Sequence, residues 1–108
     1  MTGDKVWTVF DLTRYITGVL EADRALRHIV LQGEISNLRR YASGHFYFDV
    51  KDSQAVIRCV MWRSSTQWLQ WQPANGDAVL AHGRVSVYPP QGVYQLVVDK
   101  LSQAGVGD

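Results

Sequence analysis

The feature that most constrains the fold is a strict two-residue alternation that follows Ser43-Gly44. From Gly44 to Asp52, apolar residues fill every second position, which is typical of a strand with one face in a core and one in water. The side chains predicted to point inward are Phe46, Phe48 and Val50. Those predicted to point outward are His45, Tyr47, Asp49 and Lys51. The segment therefore predicts a half-buried strand with an aromatic ring on its exposed face.

Composition limits the class of protein. The chain has 108 residues, enough for one small domain with its own core. No apolar run approaches the ~20 residues needed to span a bilayer, and the opening residues MTGDKVW lack the apolar segment of a secretory signal. A single cysteine, Cys59, excludes an internal disulfide framework. These features predict a soluble cytoplasmic protein that does not contact a membrane.

The distribution of charge is more informative than its total of +1. Residues 27–63 hold six Lys or Arg against three acids, a local charge of +3, whereas the segments on either side each carry −1. Eight of the eleven cations are arginines, which contact phosphate in a bidentate manner and stack on bases. The excess fits a weak cationic patch, and the alternative is an ordinary solvated surface.

The remaining segments predict a mainly β domain. Thr8–Leu20 reads as an amphipathic helix capped by Thr8, whose apolar side is expected to pack against the core. Ser64–Trp71 is predicted to form a short helix in which Trp68 and Trp71 act as a hydrophobic plug. Four further strands are predicted, at Ile29–Leu38, Ala55–Trp62, Asp77–Tyr88 and Val93–Leu101.

Five strands with a helix between the third and the fourth match the order of an OB-fold, a Greek-key barrel. The predicted division is an N-terminal helical extension at 1–28, the OB-fold domain at 29–104 and a linker or truncated end at 105–108. In an OB-fold the ligand crosses strands two and three and is bordered by two loops. Here those loops are predicted at Asn37–Ser43 and Tyr88–Gly92.

Arginines and aromatic residues near this surface are the candidate nucleic-acid-binding residues. Arginines suit phosphates, and exposed rings stack on unpaired bases. Tyr47 could instead pack across to strand three, and Trp62 could close the barrel floor. The candidates are Arg39, Arg40, Tyr41, His45, Tyr47, Arg58, Trp62, Arg63 and Tyr88.

Catalytic chemistry has little support in the sequence. The histidines are widely separated, and none forms a metal-type pair with Cys59, which is expected to be a small core residue. Asp49 and Asp52 are three residues apart on or beside a strand, so they are poorly placed as a carboxylate pair for two metal ions. No catalytic residue, metal site or cofactor is predicted in this chain.

Several spaced motifs resemble the N-terminal domain of the large subunit of bacterial exodeoxyribonuclease VII. They are GEISN (33–37), SGHFYFDVKD (43–52), GRVSVY (83–88) and GVYQL (92–96). The resemblance implies an OB-fold that holds single-stranded DNA for an enzyme that hydrolyses it from either end. It also implies a small helical partner subunit, bound through a part of the large subunit beyond these residues. The chain is then expected to bind without cutting. Two alternatives stay open: an RNA-binding OB domain and a protein-docking scaffold.

Overall fold

A computed structural model describes residues 4–104 of the chain as three helices and five strands. In chain order they are α1 (Val9–Ala22), α2 (Arg24–Arg27), β1 (Ile29–Arg40), β2 (Phe46–Lys51), β3 (Val56–Met61), α3 (Arg63–Thr66), β4 (Ala78–Tyr88) and β5 (Val93–Gln103). The linker predicted at 105–108 lies outside the described residues. Among the helices of residues 4–104, none has the length and apolar character needed to cross a membrane.

The five strands close into a barrel in the order β1-β2-β3-β5-β4. Neighbouring strands are antiparallel except β3 and β5, which pair in parallel from Arg58↔Gln95 to Val60↔Val97. This is the connectivity of the OB-fold, with α3 between β3 and β4, so the predicted fold class is confirmed. Closure pairs β1 with β4 and β3 with β5, so each strand has a neighbour on both sides over at least part of its length.

The inward positions of all five strands form one core, which includes Phe48 and Val50 as the alternation predicted. Two glycines mark positions where neighbouring strands approach closely. A Cβ on Gly33 would lie 2.6 Å from Val50 Cγ1, and one on Gly83 would collide with the Val97 carbonyl oxygen. Gly83 also adjoins a register shift between β4 and β5. Only a residue without a side chain allows this approach, which tightens the coil of the strands.

The first strand is longer than predicted because it contains a bulge. Asn37 has a left-handed φ of 55°, and the register between β1 and β2 shifts between Ser36 and Arg39. Leu38 N donates to Asn75 Oδ1 at 2.9 Å, which anchors the bulge to the turn before β4. The bulge uses one extra residue and lets β1 continue through Arg40. The predicted loop at Asn37–Ser43 is therefore wrong: the strands are joined by 41–45.

The helix α1 begins as predicted but packs differently. Thr8 Oγ1 accepts from Asp11 N at 2.9 Å, which confirms the N-cap. No residue of α1 is buried, however, so the expectation that its apolar side joins the core is wrong. Glu21 Oε2 accepts from Ser86 Oγ at 2.9 Å, so α1 lies against β4 through a polar contact. The barrel core is already filled from within by the strands, and α1 lies outside it.

The predicted plug helix is shorter than expected, and its two tryptophans differ. Helix α3 covers only Arg63–Thr66. Trp71 is half-buried against the core, and its Nε1 donates to Leu101 O at 3.0 Å. Trp68 is 76% exposed, so the plug prediction is correct for Trp71 and wrong for Trp68.

Candidate nucleic-acid interface

Four rings form an aromatic cluster, Tyr41–His45–Tyr47–Trp62, where the short loop at 41–45 meets the ends of β2 and β3. The Tyr41 and Tyr47 centroids are 5.3 Å apart, those of Tyr47 and Trp62 6.1 Å, and those of His45 and Trp62 5.1 Å. Each pair is edge-to-face, with interplanar angles of 88–89°. Tyr41 is 50% exposed and Trp62 39%. Edge-to-face contacts hold these rings in place, so the cluster offers fixed aromatic surfaces to solvent.

The two neighbouring arginines of β1 belong to different regions. Arg39 pairs with Tyr47 across β1 and β2, so it shares the outward face of the aromatic cluster. Arg40 pairs with Phe46, its Nη2 donates to Pro73 O, and its guanidinium lies 5.8 Å from the Phe46 ring centroid. The prediction that both arginines stand in one polar loop is wrong, because both lie in a strand and successive strand residues point to opposite faces.

The side chain of Arg40 belongs to a region that we call the arginine cap. It surrounds a cavity of about 200 Å³ at one end of the barrel. The Thr66 hydroxyl donates to Gly44 O at 2.6 Å, which ties α3 to the loop at 41–45. The arginine cap consists of Arg40, Phe46, Thr66, Leu69, Trp71, Gln72 and Pro73.

A groove lies beside Arg58, toward the other end of β3 from the aromatic cluster. Arg58 is exposed on β3, pairs with Asp49 on β2, and donates from Nη1 to Gln91 Oε1 at 2.9 Å. That bond crosses from β3 to the loop between β4 and β5. The space between them measures about 500 Å³, and we call it the Arg58 groove. Its lining residues are Asp49, Val56, Ile57, Arg58, Gly92, Val93 and Tyr94.

The aromatic cluster and the Arg58 groove are joined along β3. Arg58 and Trp62 occupy alternate positions on the same side of β3 and are roughly 13 Å apart along an extended chain. Val60 pairs with Tyr47 and is buried, although it lies outside the core cluster of the barrel. With an exposed fraction of 1%, Val60 itself is covered, so the two regions share β3 but not an exposed side chain between them. We call the aromatic cluster, Arg39 and the Arg58 groove together the outer face.

The backbone at Arg63 links the aromatic cluster to the arginine cap. Arg63 N donates to His45 Nδ1 at 2.9 Å at the start of α3. Nδ1 is thus an acceptor, which places the proton of the neutral imidazole on Nε2. The Arg63 side chain is exposed, and its carbons lie 3.0–3.3 Å from where a Cβ on Gly44 would stand. Gly44, at φ +96°, therefore brings the loop close to α3.

Within residues 4–104, shifted pKa values are found for Cys59 and Asp52, and neither residue lies on the outer face. Burial raises the pKa of Cys59 to about 12, with a further contribution from the charge of Asp49. The thiol therefore stays protonated at neutral pH and behaves as the predicted core residue. Backbone N–H donors of Gln54 and Ala55 lower the pKa of Asp52, whose carboxylate closes the turn between β2 and β3. Across residues 4–104, no three His, Cys, Asp or Glu side chains are grouped to hold a metal ion.

The structure brings most of the predicted site residues to the outer face. Arg39, Tyr41, His45, Tyr47 and Trp62 lie at one end. At the other end are Arg58 and Tyr88, which is 40% exposed and pairs with Val93 of the groove. Arg63 lies beside His45, and only Arg40 is turned away. Sequence reasoning missed Val93 as part of the groove wall, although the alternation of the fifth strand could have placed it there.

Comparison with known families gives an independent description of the chain. Residues 7–102 match the model of a family described as an OB-fold nucleic acid binding domain. Among solved structures, the chain is similar to a chain of a replication protein A heterotrimer bound to single-stranded DNA, with a TM-score of 0.58 and 18% identity. The match covers 77% of this chain and 60% of that one.

A second similar structure is the asparaginyl-tRNA synthetase of Pyrococcus horikoshii, with a TM-score of 0.56 and 16% identity over 71% of this chain and 19% of that one. At these identities the two likenesses describe the fold alone.

Two relatives found by sequence are much more similar to the chain, in sequence identity, than these two structures are. The chain is 46% identical over 103 residues to the exodeoxyribonuclease 7 large subunit of Geobacter sulfurreducens, covering 95% of this chain and 23% of the relative. It is 45% identical over 104 residues to that of Clostridium botulinum, covering 96% of this chain and 26% of the relative. The resemblance drawn from the motifs is confirmed. The chain spans about a quarter of the length of these relatives.

Proposed function

The chain belongs to the family of OB-fold nucleic acid binding domains, and on that premise we propose that its outer face binds single-stranded DNA. In this proposal the aromatic cluster stacks on unpaired bases while Arg39 contacts the phosphate backbone. Arg58 and Tyr88 contact the strand at the Arg58 groove. Single-strand binders combine stacking rings with a positively charged groove in this way, and such binding tolerates many sequences.

The strongest support for this proposal is that several polar groups on the outer face have no hydrogen-bond partner within residues 4–104. Within residues 4–104, no hydrogen bond engages the guanidinium of Arg39, the hydroxyls of Tyr41 and Tyr47 or the indole N–H of Trp62. The rings are held in position by edge-to-face contacts, and strand pairing places Arg39 on the same side as Tyr47, while the donors of these groups remain available. A ligand with phosphate oxygens and flat bases would satisfy both the arginine and the rings.

In the longer proteins that the chain resembles, we propose that this domain delivers DNA to a hydrolytic site built by other residues. The outer face contains arginines and rings, which hold a strand but do not activate a nucleophile. The domain thus binds without cutting, and phosphodiester hydrolysis belongs to the rest of the exodeoxyribonuclease. The small helical subunit would contact that remainder, and the assembly would work in the cytoplasm.

Fluorescence anisotropy with a labelled oligonucleotide tests the binding proposal. The 108-residue chain is titrated against a single strand and against the duplex of the same sequence, at about 50 mM and about 200 mM salt. We expect the single strand to bind at least about tenfold more tightly, because paired bases cannot stack on the rings. Three phosphate contacts would reduce its affinity roughly twentyfold between the two salt concentrations. Equal affinities for the two DNAs without a salt dependence would refute the proposal.

An RNA strand of the same sequence serves as a further arm of this titration. None of the contacts proposed for the outer face requires a 2′-hydroxyl, so RNA and DNA are expected to bind within a few-fold of each other. A preference for RNA by an order of magnitude would mean that the domain reads the 2′-hydroxyl. That result would replace DNA with RNA as the ligand.

A further inference from the structure

The side of the barrel that carries the outer face continues across β5 onto β4. Arg58 of β3 pairs with Gln95 of β5, and Gln95 pairs with Ser86 of β4. Residues directly opposite each other on neighbouring strands point to the same side of a sheet, so Ser86 lies on the same side as Arg58. Because neighbouring strands are about 4.8 Å apart, the two residues are separated by roughly 10 Å.

Helix α1 lies against β4 on this same side. The Ser86 hydroxyl donates to Glu21 Oε2 at 2.9 Å. Pro89, which follows β4, borders a cavity of about 260 Å³ that we call the α1 cleft. Because Phe10 and Glu21 both line this cleft with Pro89, the helix extends from Ser86 toward the loop between β4 and β5. The α1 cleft is lined by Phe10, Thr13, Arg14, Thr17, Gly18, Glu21 and Pro89.

Phe10 and Arg14 give one part of the α1 cleft the chemistry of a nucleotide site. They are four residues apart and therefore neighbours on one side of the helix, and the Arg14 guanidinium lies 5.7 Å from the Phe10 ring centroid. Both side chains are exposed. The carboxylate of Glu21 is bonded to Ser86 and starts roughly 10 Å further along the helix. An exposed guanidinium beside an exposed ring can contact a phosphate while the ring stacks on a base.

A single loop separates the α1 cleft from the Arg58 groove. Gln91 accepts the hydrogen bond from Arg58, Gly92 lines the groove, and Pro89 lines the cleft. Three residues of extended chain span at most about 10 Å, so the cleft and the groove are close together. Tyr88, which is 40% exposed, directly precedes the loop. A strand that leaves the Arg58 groove therefore has to cross only this loop to reach α1.

We propose that Phe10 and Arg14 form a second contact site for single-stranded DNA, which is reached by strands long enough to cross the loop between β4 and β5. This inference rests on the proposed function and extends it to a helix outside the barrel. Arg14 contacts a phosphate and Phe10 stacks on a base. A short strand that occupies the aromatic cluster and the Arg58 groove does not reach α1, so the second site contributes only to the binding of longer strands.

Anisotropy titrations of the 108-residue chain with thymidine oligonucleotides of about 5 and about 20 nucleotides test the inference, because OB-fold sites hold about 4–16 nucleotides. Arg14→Gln should weaken binding of the longer strand about fivefold and lower its salt slope by about 0.7, the value for one phosphate contact. Phe10→Ala should also weaken it at least about fivefold, through the lost stacking. Neither change should alter the affinity for the shorter strand by more than about twofold.

Arg24→Gln is the matched control for charge. Arg24 is exposed on α2 and does not line the α1 cleft, so this variant loses the same charge and should bind both strands within about twofold of the wild type. Circular dichroism checks that each variant stays folded, which is expected at Phe10 because its ring is 62% exposed.

Three results would overturn the second site while leaving the outer face as a binding surface. They are a wild-type affinity of Arg14→Gln for the longer strand, an equal loss for the shorter strand, and an equal loss in Arg24→Gln. A wild-type chain that binds neither oligonucleotide would instead refute the proposed function, and this inference with it. The two failures are therefore distinguished by the wild-type titration alone.

Discussion

Arg39 and Arg40 are neighbours in the sequence, but they serve two regions with opposite properties. In the arginine cap, Arg40 donates to Pro73 O, Thr66 donates to Gly44 O and Trp71 donates to Leu101 O, so three of its side chains bind internal carbonyl oxygens. On the outer face, Arg39 and the phenol and indole groups of the aromatic cluster are held in place without such partners within residues 4–104. The comparison indicates that the cap stabilises the barrel, whereas the outer face is built to receive a ligand.

The largest effect that the comparison leads us to expect is on stability, at Trp71. Trp71→Ala removes a half-buried ring and its bond to Leu101 O, and should lower the free energy of unfolding by about 3 kcal/mol. Urea denaturation followed by circular dichroism measures this. Because Cys59 is buried with its pKa raised to about 12, the rate of thiol labelling gives a second reading of barrel opening. Affinity for single-stranded DNA of the folded fraction should change less than about twofold; a tenfold loss would remove the distinction between the regions.

The second expected effect is on affinity, at Trp62. Trp62→Ala removes a stacking ring and should weaken single-strand binding by about 1–3 kcal/mol, measured by anisotropy titration. Trp68→Ala is the matched control, because Trp68 is 76% exposed and stands outside the aromatic cluster. Stability should change by less than about 1 kcal/mol in both variants. Equal losses of affinity in the two variants would show that an exposed tryptophan contributes to binding wherever it lies. The aromatic cluster would then have no specific role in binding.

The two arginines allow a reciprocal test. Each substitution is expected to cost about 1 kcal/mol, in DNA affinity for Arg39 and in the free energy of unfolding for Arg40. Arg39→Ala should reduce DNA affinity about fivefold and lower the salt slope by about 0.7, the value for one phosphate contact on a single strand. Arg40→Ala should leave the salt slope unchanged and lower the free energy of unfolding by about 1 kcal/mol, through the lost bond to Pro73 O. Salt-dependent titration and urea denaturation of both variants are required. If Arg40→Ala changed the salt slope and Arg39→Ala did not, the assignment of the two regions would be reversed.

The sequence predicted the barrel well because its signals are local. The alternation of β2 and β3 places Phe48 inward and Tyr47 and Arg58 outward, and each pattern is complete within a few residues. The direction in which the Arg40 side chain points could not be predicted in the same way. It depends on a bulge at Asn37 that is anchored by Asn75, nearly forty residues away.

Tertiary contacts also explain why α1 and Trp68 were misread. An apolar stripe indicates that a helix has a covered side, but it does not say what covers it. In this barrel the five strands complete the core among themselves, and α1 lies against the outside of β4, where Ser86 donates a hydrogen bond to Glu21. Trp68 follows a helix that ends at Thr66 rather than continuing to Trp71, so the ring leaves the face that a longer helix would have buried.

The smallest expected effect concerns His45, whose side chain links the aromatic cluster to the start of α3. Its ring packs on Trp62, and its Nδ1 accepts from Arg63 N at the start of α3. His45→Ala should therefore lower both DNA affinity and the free energy of unfolding, each by about 0.5 kcal/mol. His45→Asn places an amide oxygen near the position of Nδ1 and should restore stability while affinity stays reduced, because the ring is still missing. If asparagine restored both quantities, His45 would serve only to anchor α3, and the aromatic cluster would function with three rings.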